Sequence, residues 1–131
     1  MTTSRSSLSS KRVEASIQRE LVRWFNATYK DYMLQATLNE NSRHNVEMGV
    51  VVGITDLLIF ARKDDILHVF FHEIKTKNRK SKLNPAQIKW HDEIYEKKIK
   101  ANNTHYAASK GLIEAKKAII EWTAGMVPIA H

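Results

Sequence analysis

The order of patterned segments along the chain predicts an α/β fold built on a central mixed sheet. Three observations carry this reading. Apolar residues at helical spacing occupy the N-terminal part, two strand-like runs joined by a charged turn fill the middle, and a helix, strand, helix pattern follows. With 131 residues the chain can bury one core but not two of ordinary size, so a single domain is expected.

Residues 1–10 are rich in Ser and Thr and hold no apolar run, so they read as a disordered tail rather than a signal peptide or membrane anchor. The domain then spans 11–131. Ser10 is placed to cap a helix from Lys11 to Tyr29, whose stripe of Val13, Ile17, Leu21, Trp24 and Phe25 should face the core. Tyr32 to Leu38 predicts a short strand, and Asn39 to Glu47 a polar loop. Gly49 and Gly53 punctuate the approach to Asp56.

Thr55 to Ala61 and Ile66 to Lys75 are rich in Leu, Ile, Val and Phe, and the charged Arg62 to Asp65 between them predicts a hairpin. The chain is then polar and basic from Thr76 to Lys82. Asn84 offers a cap and Pro85 suits a first helical position, so a helix is expected from Pro85 to about Ala101. Thr104 to Ser109 reads as a strand. Leu112 to Thr123 reads as a final helix, ended by Gly125 and Pro128. Trp24, Trp90 and Trp122 all fall on predicted helices, where core or interface packing is their ordinary use.

Composition narrows the chemistry. The chain has no cysteine, which excludes disulfides and thiolate zinc sites. Lys+Arg number 21 against 14 Asp+Glu, a formal charge of +7 that suits a polyanionic partner.

Asp56, Glu73 and Lys75 are charges written into largely apolar strands, where an unpaired charge is costly. If Asp64 and Asp65 form a two-residue loop, Lys63 pairs with Ile66, and counting outward sets Asp56 opposite Glu73 on one face. Directly opposed residues have Cβ atoms about 4.5 to 5.5 Å apart, so the two carboxylates repel unless a cation lies between them. A hard divalent ion with oxygen ligands fits, with the Ile74 carbonyl as a further ligand. Lys75, two residues after Glu73, shares its face and is placed to orient a water or stabilise charge on a phosphate. Lys77, Arg79, Lys80 and Lys82, following directly, read as a phosphate clamp beside such a site or as a solvated connection. His68 and His72 alternate onto the opposite face and read as packed or hydrogen-bonded histidines. Gln87 stands at the third helical position after Asn84, where it can close a capping box.

Four segments in this order, Glu14-Ala-Ser-Ile17-Gln18, Gly53-Ile-Thr-Asp56-Leu57, Glu73-Ile-Lys75 and Leu83-Asn-Pro-Ala-Gln87, resemble the motifs of the VRR-NUC nucleases, a branch of the PD-(D/E)XK superfamily. The resemblance covers roughly Val13 to Ser109. It implies the αβββαβ core of that superfamily, here followed by a C-terminal helix. Thr55 departs from the pattern, standing where the family usually has proline.

What the resemblance implies is phosphodiester hydrolysis in DNA. Asp56 and Glu73 would hold Mg²⁺ or Mn²⁺, Lys75 would position the attacking water, and Glu14 and Gln87 would complete the site. Glu20 is a rival to Glu14. Small stand-alone members resemble Holliday junction resolvases of phages and bacteria, which implies branched DNA as partner, action in replication, repair or recombination, and the host cytoplasm as location. Two symmetric cuts further imply a homodimer, for which the apolar stretch Ala124 to Ala130 offers a covering surface or packs back on its own domain. A DNA-binding module without catalysis and a restriction-type endonuclease are the alternatives.

Overall fold

The computed structural model describes residues 2–37, 49, 51–78 and 82–126, with side chains described from Arg12 onward. Helix α1 covers Thr2–Thr28, strand β1 Met33–Ala36, β2 Leu57–Lys63 and β3 Ile66–Lys75. Helix α2 covers Pro85–Lys89 and runs on as a π-helix over Trp90–Ile99, before β4 at Thr104–Lys110 and α3 at Leu112–Ala124. This is a mixed α/β fold with one four-stranded sheet in the order β1-β2-β3-β4. The first three strands form an antiparallel meander, and β4 returns parallel to β3.

The sheet is covered on both faces because its central strands alternate large apolar residues in both directions. Leu57, Ile59, Phe70 and Ile74 meet Leu21 and Phe25 of α1 and Ala115 and Ile119 of α3 in the main core. On the other face Phe71 packs with Trp90 and Tyr95 of the π-helix, flanked by Leu58, Val69 and Tyr106. Trp90 is buried, and Trp24 and Trp122 pack against the main core, the roles their helical positions predict.

Several boundaries differ from the sequence expectation. Helix α1 begins at Thr2, so residues 2–10, expected as a tail, are helical and Ser10 lies within the helix instead of capping it. The helix after Pro85 changes hydrogen-bonding period at Trp90. Buried Trp90 and Tyr95 are five residues apart, as are half-buried Ile94 and Ile99, and Lys100 N donates to Tyr95 O at 2.8 Å, the five-residue step of a π-helix. The expected loop at Asn39 to Glu47 lies outside the described residues, as do Arg79, Lys80 and everything beyond Met126.

The hairpin follows the predicted register, from Lys63 paired with Ile66 to Leu57 paired with His72. Asp64 and Asp65 make the two-residue loop in left-handed conformations, φ 54° and 62°. Aspartate tolerates this region better than most side chains because its short carboxylate bonds locally.

Candidate active site at the end of the hairpin

Strand β2 starts at Leu57, two residues later than expected, because the backbone ladder to β3 gives way to a side chain. The next ladder partner of β3 beyond Leu57 and His72 would lie at Thr55, but the Thr55 carbonyl is turned to the Thr37 hydroxyl. The Ile74 amide is taken instead by Asp56 Oδ2, at 2.8 Å. Asp56 is held from the other side by its own backbone, whose carbonyl accepts from Thr37 N at 2.9 Å. In a strand the N–H and C=O of one residue point the same way, so the Ile74 carbonyl also faces the Asp56 end of β2.

Glu73 is buried to 1 % exposure, one step beyond the last ladder pair and beside Asp56. Its Oε1 accepts from Gln87 Nε2 at 2.9 Å, while Oε2 receives no bond from a donor group of the described residues. Burial, then a side-chain hydrogen bond to the Asp56 carboxylate and the charge of Asp56, push the Glu73 carboxyl up to about 10; Lys75 opposes the shift and Glu14 adds to it. Asp56 therefore lies close enough to Glu73 to hold a proton on it, the adjacency that the register predicted.

Gln87 reaches Glu73 because the start of α2 is fixed twice over. Asn84 and Gln87 form a reciprocal capping box, with Gln87 N donating to Asn84 Oδ1 and Asn84 N to Gln87 Oε1, both at 2.9 Å. The same amide thus caps the helix through its oxygen and holds Glu73 through its nitrogen. Gly53 sets the other wall. At φ +91° it lies so close to α2 that a Cβ there would fall 2.1 Å from the Ala86 carbonyl oxygen.

From α1, Glu14, Ala15 and Gln18 line a cavity of about 190 Å³ together with Asp56 and Ile74. Glu20 is exposed and pairs with Arg23 at 2.8 Å, so of the two rival acids it is Glu14 that reaches the site. Lys75 stands half-buried at the end of β3, on the Glu73 face. Lys77 and Lys82 are exposed. A larger cavity of about 660 Å³, lined by His68, His105, Glu121 and Trp122 among others, opens at the opposite end of the sheet and contains none of these residues.

His72 faces away from Glu73 as expected. It is fully buried, with Nε2 bonded to Ser109 Oγ at 2.7 Å, and burial lowers its pKa to about 3. The residue that sequence reasoning missed is Tyr106. Burial and then the charges of Glu73, Asp92 and Asp56 push its hydroxyl up to about 12. Only the pairing of β4 with β3, which sets Tyr106 beside Phe71, reveals that it shares their face.

Among the described residues no group of three or more His, Asp or Glu side chains is gathered as a ready metal cage. Two adjacent carboxylates, one of them with a buried oxygen that meets no donor group, nevertheless suit Mg²⁺, which is commonly held by one or two carboxylates with water and substrate phosphate completing its shell.

No family model matches the chain, and no solved structure matches it. The curated proteins that it resembles include the DNA-directed RNA polymerase subunit beta' of Bacillus thuringiensis (strain Al Hakam), Bacillus mycoides (strain KBAB4) and Bacillus anthracis, each 32% identical over 59 residues. That stretch is 45% of this chain and 5% of the polymerase subunit, so the chain spans about one-twentieth of the relatives it matches.

Proposed function

We propose that the chain is a metal-dependent DNA nuclease with a PD-(D/E)XK type of core, cutting phosphodiester bonds at the end of the β2–β3 hairpin. The observation that carries this reading is Asp56 beside Glu73, two carboxylates in contact with no donor group on the buried Glu73 Oε2, and Lys75 on the same face. A protein that only binds a polyanion gains nothing from burying an acid beside a second carboxylate.

Asp56, Glu73 and the Ile74 carbonyl would hold Mg²⁺ or Mn²⁺, which when bound supplies Lewis acidity and a more acidic water. The chain's own residues do the rest. Gln87 orients Glu73, Glu14 closes the cavity from α1, and Lys75, on the face of Glu73, would stabilise charge developing on the phosphate. Branched DNA is the proposed substrate and the cytoplasm the proposed location. No helix among the described residues is long and apolar enough to cross a membrane.

A homodimer would place two such sites across a junction. Met126, in the apolar stretch considered for that contact, is buried within its own chain, and its carbonyl accepts from Lys63 Nζ at 3.1 Å. The dimer proposal therefore rests on the need for two cuts. The test is cleavage of four-way junctions, flaps and linear duplexes with Mg²⁺ or Mn²⁺, with light scattering read against the 15.1 kDa chain mass. Opposed nicks in a junction by a dimer are expected. Cutting of flaps alone by a monomer would remove the resolvase reading, and no cutting of any substrate with either metal would remove the nuclease reading.

A further inference from the structure

Strands β3 and β4 run parallel and end together, and their register sets Lys75 directly beside Lys110. Neighbouring strands lie about 4.8 Å apart, so two like-charged residues start from adjacent positions at the strand ends, an arrangement that an anion between them would relieve. Neither ammonium has a carboxylate partner among the described salt bridges. Both residues stand at the carboxyl ends of the parallel pair, where α/β sheets commonly receive ligands.

A third lysine is steered to the same corner. Gly111, at φ +86°, follows Lys110, and its N–H donates to the Lys75 carbonyl at 2.8 Å. A Cβ on Gly111 would lie 2.8 Å from Lys77 Cγ and 2.9 Å from Lys77 Cε, so the Lys77 stem is laid across the bare glycine backbone. The carboxylate of Glu114, in the first turn of α3, accepts from the Lys110 backbone N–H and ties the end of β4 to that helix.

We infer that Lys75, Lys77 and Lys110 form a phosphate-binding corner, in which Lys110 and the Gly111-supported Lys77 grip a DNA phosphate neighbouring the one that is cut. This rests on the nuclease reading for its substrate, but not for its geometry. Lys110 touches the DNA backbone and carries no base preference, so it is a positioning residue.

The experiment measures binding of a DNA junction in Ca²⁺ as salt is varied, for the full chain and for Lys110→Gln, Lys110→Arg and Gly111→Ala. Each lost phosphate contact should flatten the dependence of log K on log salt by about 0.9. Lys110→Gln should lose one contact, Lys110→Arg should restore it, and Gly111→Ala should flatten the slope by displacing Lys77. In cleavage, Lys110→Gln should raise KM more than it lowers kcat. Circular dichroism melts identify any variant that has failed to fold, and the paired Gln and Arg variants keep the test valid if Gly111→Ala does. An unchanged slope in Lys110→Gln would overturn the inference while leaving the nuclease standing. A Lys110-dependent slope in a protein that cuts nothing would do the reverse.

Discussion

Gln87 Nε2 donates to Glu73 Oε1 at 2.9 Å while Gln87 Oε1 accepts from Asn84 N, so one amide ties the helix start to the buried acid. Its orientation is thereby fixed, and with it the buried Oε2 of Glu73. On the proposed nuclease reading, Glu73→Ala and Lys75→Ala are expected to lower cleavage by at least about 10²-fold while the chain remains folded, since each would remove a group acting on charge at the reacting phosphate. Single-turnover cleavage with circular dichroism on the same samples checks this. Wild-type rates in either variant would remove these residues from the site.

Ca²⁺ should support DNA binding without supporting cleavage. Its longer and looser coordination neutralises the acid pair but places a water poorly for attack. Gel-shift and cleavage assays run in parallel with Ca²⁺ and Mg²⁺ distinguish the two, and rapid cutting in chelator would contradict any role for a cation.

Without a cation Glu73 keeps its proton well above neutral pH, its carboxyl being raised from 4.5 to about 10 by burial and by Asp56. The folded chain then binds more protons at this residue than the unfolded chain between those values. Its contribution to stability is complete below 4.5 and is lost as pH rises toward 10. His72 acts in the opposite sense, lowered from 6.5 to about 3, so its contribution is complete above 6.5 and is lost as pH falls below it. Above pH 6.5 only the Glu73 effect remains of these two. Urea titrations of metal-free protein from pH 7 to 9 should show falling stability, and Glu73→Gln should flatten that fall. Mg²⁺ binding should release a proton and tighten with pH across the same range, as calorimetry in buffers of different ionisation enthalpy would show.

Gly53→Ala should destabilise the fold by about 1–3 kcal/mol or more, because it adds backbone strain at a positive φ to a collision with Ala86. Displacing α2 also withdraws Gln87 from Glu73, so cleavage should fall in variant that is still folded at low temperature. Thermal melts and cleavage at 10 and 25 °C check both effects.

Asp65→Gly should stabilise the chain by up to about 1 kcal/mol, since glycine accepts φ 62° without the steric cost an L side chain meets there. A lower urea midpoint in the variant would show that the aspartate side chain makes a compensating local bond.

Much of this site was legible because strand pairing is arithmetic. Once Asp64 and Asp65 are the loop, Lys63 meets Ile66 and the acids fall side by side. Glu14, Gln87 and the start of α2 were legible from motif order and capping chemistry. The helix through residues 2–10 was not, because Ser and Thr there carry neither an apolar stripe nor strong helix preference. The π-helix was missed because an apolar stripe over ten residues reads as an ordinary helix unless Trp90 with Tyr95, and Ile94 with Ile99, are noticed to repeat every five. Tyr106 and Lys110 acquire meaning only from the β3–β4 register, and a parallel pairing through a crossover cannot be counted from a turn.

The two bonds that hold the acids span few residues, 18 between Asp56 and Ile74 and 14 between Glu73 and Gln87. Closing such short loops carries a small entropic cost, so this corner is suited to forming early, before α1 has docked. Glu14 must then arrive from the far end of the chain, across a much longer loop. On this order of events the folding chain would hold its acid pair before it holds the wall that encloses them.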